Sequence, residues 1–143
     1  MAKNIRIIKE AIFTKLNDDS ALRQLLGGEG RILHKQPPED ANYPCIIYEV
    51  ISDADNVFNE DISTGEVTQS FFRVTMFSNS EKTEESDAIE ARIKELLHGD
   101  RTLDNDDVIC YYCYRDNLLE PFRDPETLTW VTSIRYKVTW GVK

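Results

Sequence analysis

Leu128-Thr129-Trp130-Val131-Thr132-Ser133-Ile134-Arg135-Tyr136-Lys137-Val138-Thr139-Trp140-Gly141-Val142 is the stretch that decides the fold. Leu128, Trp130, Thr132, Ile134, Tyr136, Val138, Trp140 and Val142 occupy every second position, with Val131, Ser133, Arg135, Lys137 and Thr139 between them. A period of two belongs to a strand, whose successive side chains point to opposite faces. One face is apolar and the other is wet. That pattern fits an antiparallel sheet with helices layered on one side.

Working outward, Arg115 to Glu126 reads as a charged connection containing Pro121 and Pro125, and Val108 to Tyr114 as a strand dense in aromatics. Before them, Ala88, Ile89, Ile93, Leu96 and Leu97 form the apolar stripe of a helix that Gly99 ends. Ser78 and Glu81 have capping-box spacing, and Ser80 or Thr83 could equally be the cap. Val67 to Phe77 reads as a strand with Phe72, Val74 and Met76 on one face and Phe71, Arg73, Thr75 and Phe77 on the other. Cys45 to Ser52 is a β-branched strand, and Arg31 to His34 a short one. Pro37, Pro38 and Pro44 exclude helix between them. At the start, Ile5, Ile8, Ile12 and Leu16 recur at helical spacing beside Phe13. A second, short helix runs from Ser20 to Leu26, with Asp18 or Asp19 as its cap and Gly27-Gly28 as its stop.

The expected order is ααβββαββ in one α+β domain, residues 1–143. An antiparallel or mixed β-sheet of about four or five strands carries two long α-helices packed on one face. Ile12, Leu16, Ile93, Leu97, Trp130, Ile134 and Val138 are expected to share its core.

Charge narrows the function. The net charge of −9 argues against a nucleic-acid binder, which needs basic surface to displace counterions. Residues 1–35 carry seven Lys/Arg and four Asp/Glu, and residues 36–127 carry 22 acids against seven bases. The chain is thus positive at its start and strongly negative in its middle, which suits either a solvated acidic surface or a contact with a basic neighbour. No apolar run approaches the roughly 20 residues that span a bilayer. The opening residues lack the apolar stretch of a signal peptide, so a cytosolic protein is expected. An odd set of three cysteines fits that compartment better than a disulfide framework.

Catalytic patterns are weak. Cys110 and Cys113 form a CxxC, but inside a strand, where a spacing of three sends the two side chains to opposite faces. Redox use needs the pair at a helix N-terminus, and zinc needs two further ligands. His34 and His98 sit in different elements, and His98 falls in the last turn of a helix. Asp18-Asp19, Glu84-Glu85 and Asp106-Asp107 read as solvent-facing acids. No catalytic, metal or cofactor site is expected, and no enzyme activity.

The remaining signal is an interface. Residues 53–66 hold Asp53, Asp55, Glu60, Asp61 and Glu66 with no base, and also Val57, Phe58 and Ile62. Apolar anchors among acids suit a loop that orders on a partner. Phe71, Phe77, Tyr111 and Tyr114, on strand faces expected to be wet, are further interface candidates, because aromatics are enriched there.

The order of elements resembles the tail-completion proteins of long-tailed bacteriophages and prophages, a group that includes tail terminators and head-to-tail joining proteins. The residues that carry the resemblance are Ile5 to Leu16, Ala21 to Gly27, Tyr43-Pro44-Cys45-Ile46-Ile47-Tyr48, Phe72 to Phe77, Ser80 to Leu97 and the alternating C-terminal strand. The resemblance implies a ring, commonly a homo-hexamer, on the head-proximal end of the tail tube. Its partners are then copies of itself, the tail-tube protein and the head connector or stopper. It is built in the host cytoplasm and carried in the virion tail. No membrane and no sequence-specific nucleic acid are implied. The acidic excess and the long stretch from Arg115 to Glu126 depart from the family pattern. The alternative is an acidic inhibitor that mimics nucleic acid and blocks a DNA-binding protein.

Overall fold

The structure, a computed structural model, describes residues 5–28, 30–34, 43–55, 67–81 and 83–143; at 5, 52–55 and 120 only the backbone is described. Three helices, α1 (Ile5–Asn17), α2 (Ser20–Leu26) and α3 (Glu84–Leu97), accompany five strands. The strands are β1 (Ile32–His34), β2 (Cys45–Asp55), β3 (Val67–Ser78), β4 (Val108–Arg123) and β5 (Trp130–Val142), in the order β1-β2-β3-β5-β4. β1 runs parallel to β2 and every other pair is antiparallel, so the sheet is mixed. Among the described residues no helix is long and apolar enough to cross a membrane.

Local chemistry sets the helix ends. Asp19 caps α2, its carboxylate accepting from the Leu22 N–H at 2.8 Å. Gly27 closes α2 at φ +83°, where the Gly27 and Gly28 N–H groups return to Gln24 and Arg23 carbonyls. α3 starts after Thr83, not Ser78. The Ser78 hydroxyl instead donates to Glu85 at 2.6 Å. The Arg31 guanidinium then joins three carbonyls, Leu26, Tyr43 and Pro44, and so ties the end of α2 to the start of β2.

All three helices lie on one side of the sheet. Their buried Ile8, Ile12, Leu16, Leu22, Leu26, Ile89, Ile93 and Leu97 meet Phe72, Val74, Met76, Ile134, Tyr136 and Val138 in one core. Trp140 is fully enclosed, and its indole N–H donates to Ser70 at 2.9 Å. Tyr136 stacks on Phe72 with ring centres 5.4 Å apart.

Three expectations need correction. Trp130 is half-buried: it stands at the first position of β5, at the margin of the core, with an enclosed indole N–H that has no partner among the described residues. Arg115 to Arg123 is strand, not connection. β4 is an outer strand, and Pro121 sits within a register shift between Leu119 and Phe122, where no ladder bond needs its missing N–H. Cys110 and Cys113 share a face. A bulge at Tyr111 adds one residue, so Cys110 pairs with Trp140 and Cys113 with Val138, and both thiols are buried on the helix side.

Candidate interaction surface

The opposite face of the sheet carries no helix from the described residues, and the ladder registers arrange it in rows. Cys45, Phe77, Val131 and Phe122 form the first row across β2, β3, β5 and β4. Ile47, Thr75, Ser133 and Leu119 form the second, with the Thr75 and Ser133 hydroxyls 3.3 Å apart. A charged belt follows. Arg73 meets Glu49 at 3.3 Å, and Arg135 binds Asp116 through Nε at 2.8 Å and again through Nη2. Beyond the belt, Lys137 lies between Phe71 and Tyr114, its ammonium 5.9 Å from each ring centre. Arg135 covers the other part of Phe71 at 5.3 Å, and Tyr112 stacks on Tyr114 at 5.5 Å. Exposed cation–π contacts of this kind are worth about 0.5–1 kcal/mol each and hold the rings in fixed poses.

The β4–β5 hairpin ends this face. Its turn is closed by the Asp124 N–H on the Thr129 carbonyl and the Leu128 N–H on the Asp124 carbonyl, each 2.8 Å. The Asp124 carboxylate also accepts from the Glu126 N–H at 2.9 Å. Leu119 and Phe122 are each 55 % exposed and Leu128 54 %. Leu128 is held at φ +57°, a conformation that costs an L-residue with a Cβ about 1–2 kcal/mol.

The structure sorts the sequence-derived interface residues unevenly. Phe71 and Phe77 lie half-buried on the helix-free face. Tyr114 joins them through Lys137, while Tyr111 stands at the bulge and is exposed. Asp53 and Asp55 extend β2 in register with Ser70 and Thr68. Val57, Phe58, Glu60, Asp61 and Ile62 lie outside the described residues. The apolar hairpin end departs from expectation in two ways: Leu119 and Phe122 fall in Arg115 to Glu126, whose prolines and charges read as a loop, and Leu128, expected on the apolar face of the alternating strand, precedes β5 in the turn and is exposed. The signal that could have found it is the spacing Leu118, Leu119, Phe122 among charges.

Other reactive groups are absorbed by structure. Burial pushes the Cys110 and Cys113 thiols up from their ordinary value, and Cys45 to about 11 with Arg31 opposing. His34 packs against Tyr48 at 5.2 Å, and His98 Nδ1 accepts from the Arg115 N–H at 3.2 Å. Among the described residues no three His, Cys, Asp or Glu side chains are grouped to hold a metal ion.

Among the described residues, the three helices cover one face of the sheet, and the other face carries the Phe71–Lys137–Tyr114 cluster and ends at an exposed apolar hairpin. The chain belongs to the tail completion protein gp17 family, whose model matches residues 10–140. It is thereby a structural protein of phage tail assembly. Among solved structures, a chain of the virion of a native gene transfer agent (GTA) particle has the same fold at a TM-score of 0.73. The two share 14 % identity over 94 % of this chain and 92 % of that one. No curated protein matches the sequence.

Proposed function

We propose that this chain acts without catalysis as a tail terminator or head-to-tail joining protein. Copies form a ring, of six subunits, on the head-proximal end of the tail tube, stop its growth and present a surface to the head connector. Assembly takes place in the host cytoplasm, and the ring stays in the virion tail. The observation that carries this is the helix-free sheet face, where an apolar row and a row of fixed aromatics flank a self-neutralised charged belt. Such a face buries well against protein, because its charges keep their partners when water leaves. Residues 53–66 are a second proposed contact. There, Phe58→Ala weakens assembly and leaves monomer stability within about 0.5 kcal/mol, as for a surface change.

The reading as a nucleic-acid mimic needs a continuous acidic surface. The bare face instead presents Arg73, Arg135 and Lys137 among aromatics. The test is polymerisation of the cognate tail-tube protein with increasing amounts of this chain, followed by negative-stain microscopy. Shorter tubes with added density at one end are expected. Tubes of unchanged length, or density along their sides, would overturn the proposal.

A further inference from the structure

Among the described side chains, the strand ladders and their contacts place five charged ones on the helix-free face: Glu49, Arg73, Asp116, Arg135 and Lys137. Four of them are matched within the face. Arg73 pairs with Glu49 at 3.3 Å, and Arg135 pairs with Asp116 through Nε at 2.8 Å. Lys137 is the fifth. Among the described residues no carboxylate stands within ion-pair distance of its ammonium. The face thus carries one positive charge in excess, in a chain whose net charge is −9.

The two rings fix the place of that charge. Lys137 is paired with Phe71 across β3 and β5 and with Tyr114 across β4 and β5, and its ammonium is 5.9 Å from each ring centre. Arg135 covers the other part of Phe71 at 5.3 Å, and Tyr112 stacks on Tyr114 at 5.5 Å, so both rings are held. Lys137 itself is half-buried, and water completes its shell on the open side. Covering the face with protein removes that water. The two ion pairs then keep their counter-charges, but the ammonium keeps only the ring faces, which return part of the hydration it loses. A buried charge without a partner is costly, so a surface that covers this one must bring a counter-charge. Nucleic acid does not suit the place. It binds through several phosphates neutralised together, and the neighbouring cations, Arg73 and Arg135, already hold carboxylates. One carboxylate among apolar side chains, on a protein surface, matches one ammonium among rings.

We propose that the helix-free face docks a protein surface whose Asp or Glu side chain enters between Phe71 and Tyr114 and pairs with Lys137, its apolar neighbours lying on the two rings. The inference rests on the reading of this face as an assembly contact and adds the chemistry of the partner. The test puts Lys137→Arg, Lys137→Gln and Lys137→Glu into a phage or prophage that carries the gene. The purified variants should melt within about 2 °C of wild type, as for surface changes. Particle yield should stay near normal for Lys137→Arg, fall about tenfold for Lys137→Gln, and fall about a hundredfold or more for Lys137→Glu, the order that a lost and then a reversed charge gives. Second-site revertants of Lys137→Glu should exchange an acid for Lys or Arg, on another virion protein or elsewhere on this chain. Normal yield from Lys137→Glu would overturn the proposal. So would equal losses from all three variants, which would assign Lys137 to packing, or revertants confined to Glu49 and Asp116, which would keep its charge within the chain. Should Lys137→Glu melt more than about 4 °C low, the comparison of Lys137→Arg with Lys137→Gln decides, and equal yields would overturn the proposal. Acid-to-base revertants in a protein outside the virion would instead sink the tail-joining reading and leave this contact standing.

Discussion

Ile134→Ala and Leu119→Ala probe opposite faces of neighbouring strands and should behave very differently. Ile134 is fully enclosed, paired with Val74 and Leu118 across the ladder. Its truncation removes three carbons, about 2.4 kcal/mol at about 0.8 kcal/mol per buried methylene. A residual cavity of about 50 Å³ adds about 1.2 kcal/mol. The total is about 3.6 kcal/mol, within the range for core truncations. For 143 residues the unfolding entropy is about 300 cal/mol/K, so this loss lowers Tm by about 12 °C. Leu119 is 55 % exposed on the bare face, and its truncation should cost about 0.5 kcal/mol or less, under about 2 °C. Calorimetry or thermal circular dichroism of both variants, checked by urea midpoints at constant slope, measures the pair. An Ile134→Ala shift below about 4 °C, or a Leu119→Ala shift above about 6 °C, would refute the division into a helix-covered and a bare face.

Leu128→Gly should keep or raise monomer Tm, because glycine adopts the positive φ freely; a clear fall in Tm would mean the side chain packs in the monomer. The Asp19 carboxyl is held below its usual value, chiefly by the hydrogen bond from Arg92 and against the opposing effect of burial. A depressed carboxyl stabilises the fold above its unfolded pKa of about 3.9 and loses that contribution as pH falls toward the folded value. The urea midpoints of wild type and Arg92→Met should thus differ at neutral pH and converge at acid pH; a constant gap would contradict the pairing. Cys45, Cys110 and Cys113 are buried with raised pKa values, so a thiol reagent at pH 8 should label none in the native protein and three after denaturation.

The strands and helices that bury one face were legible because burial writes its period into the chain. β5 alternates from Ile134 to Trp140 and α3 repeats Ile89, Ile93 and Leu97, and the structure places each stripe in one core. Events that break the period were not legible. A bulge is a single extra residue with no composition of its own, so Tyr111 reversed the expected facing of Cys113. The second half of β4 leaves Leu118, Leu119 and Phe122 exposed, so its sequence answers to solvent and resembles a loop. The candidate site suffers from the same cause. Phe71 and Phe77 could be assigned to a face by counting, but the exposed hairpin end sets Leu119 and Phe122 of β4 near Leu128 of the turn through a pairing that only the fold supplies.

Tube length in the absence of this chain tests the central claim most directly. Removing its gene from a phage or prophage that carries it, then measuring tails in the lysate by electron microscopy, gives a length distribution. The tail-terminator account predicts tubes of unregulated length without heads, and recovery of normal length and head joining when the chain is restored. Tails of normal length already joined to heads in the deletion lysate would contradict it.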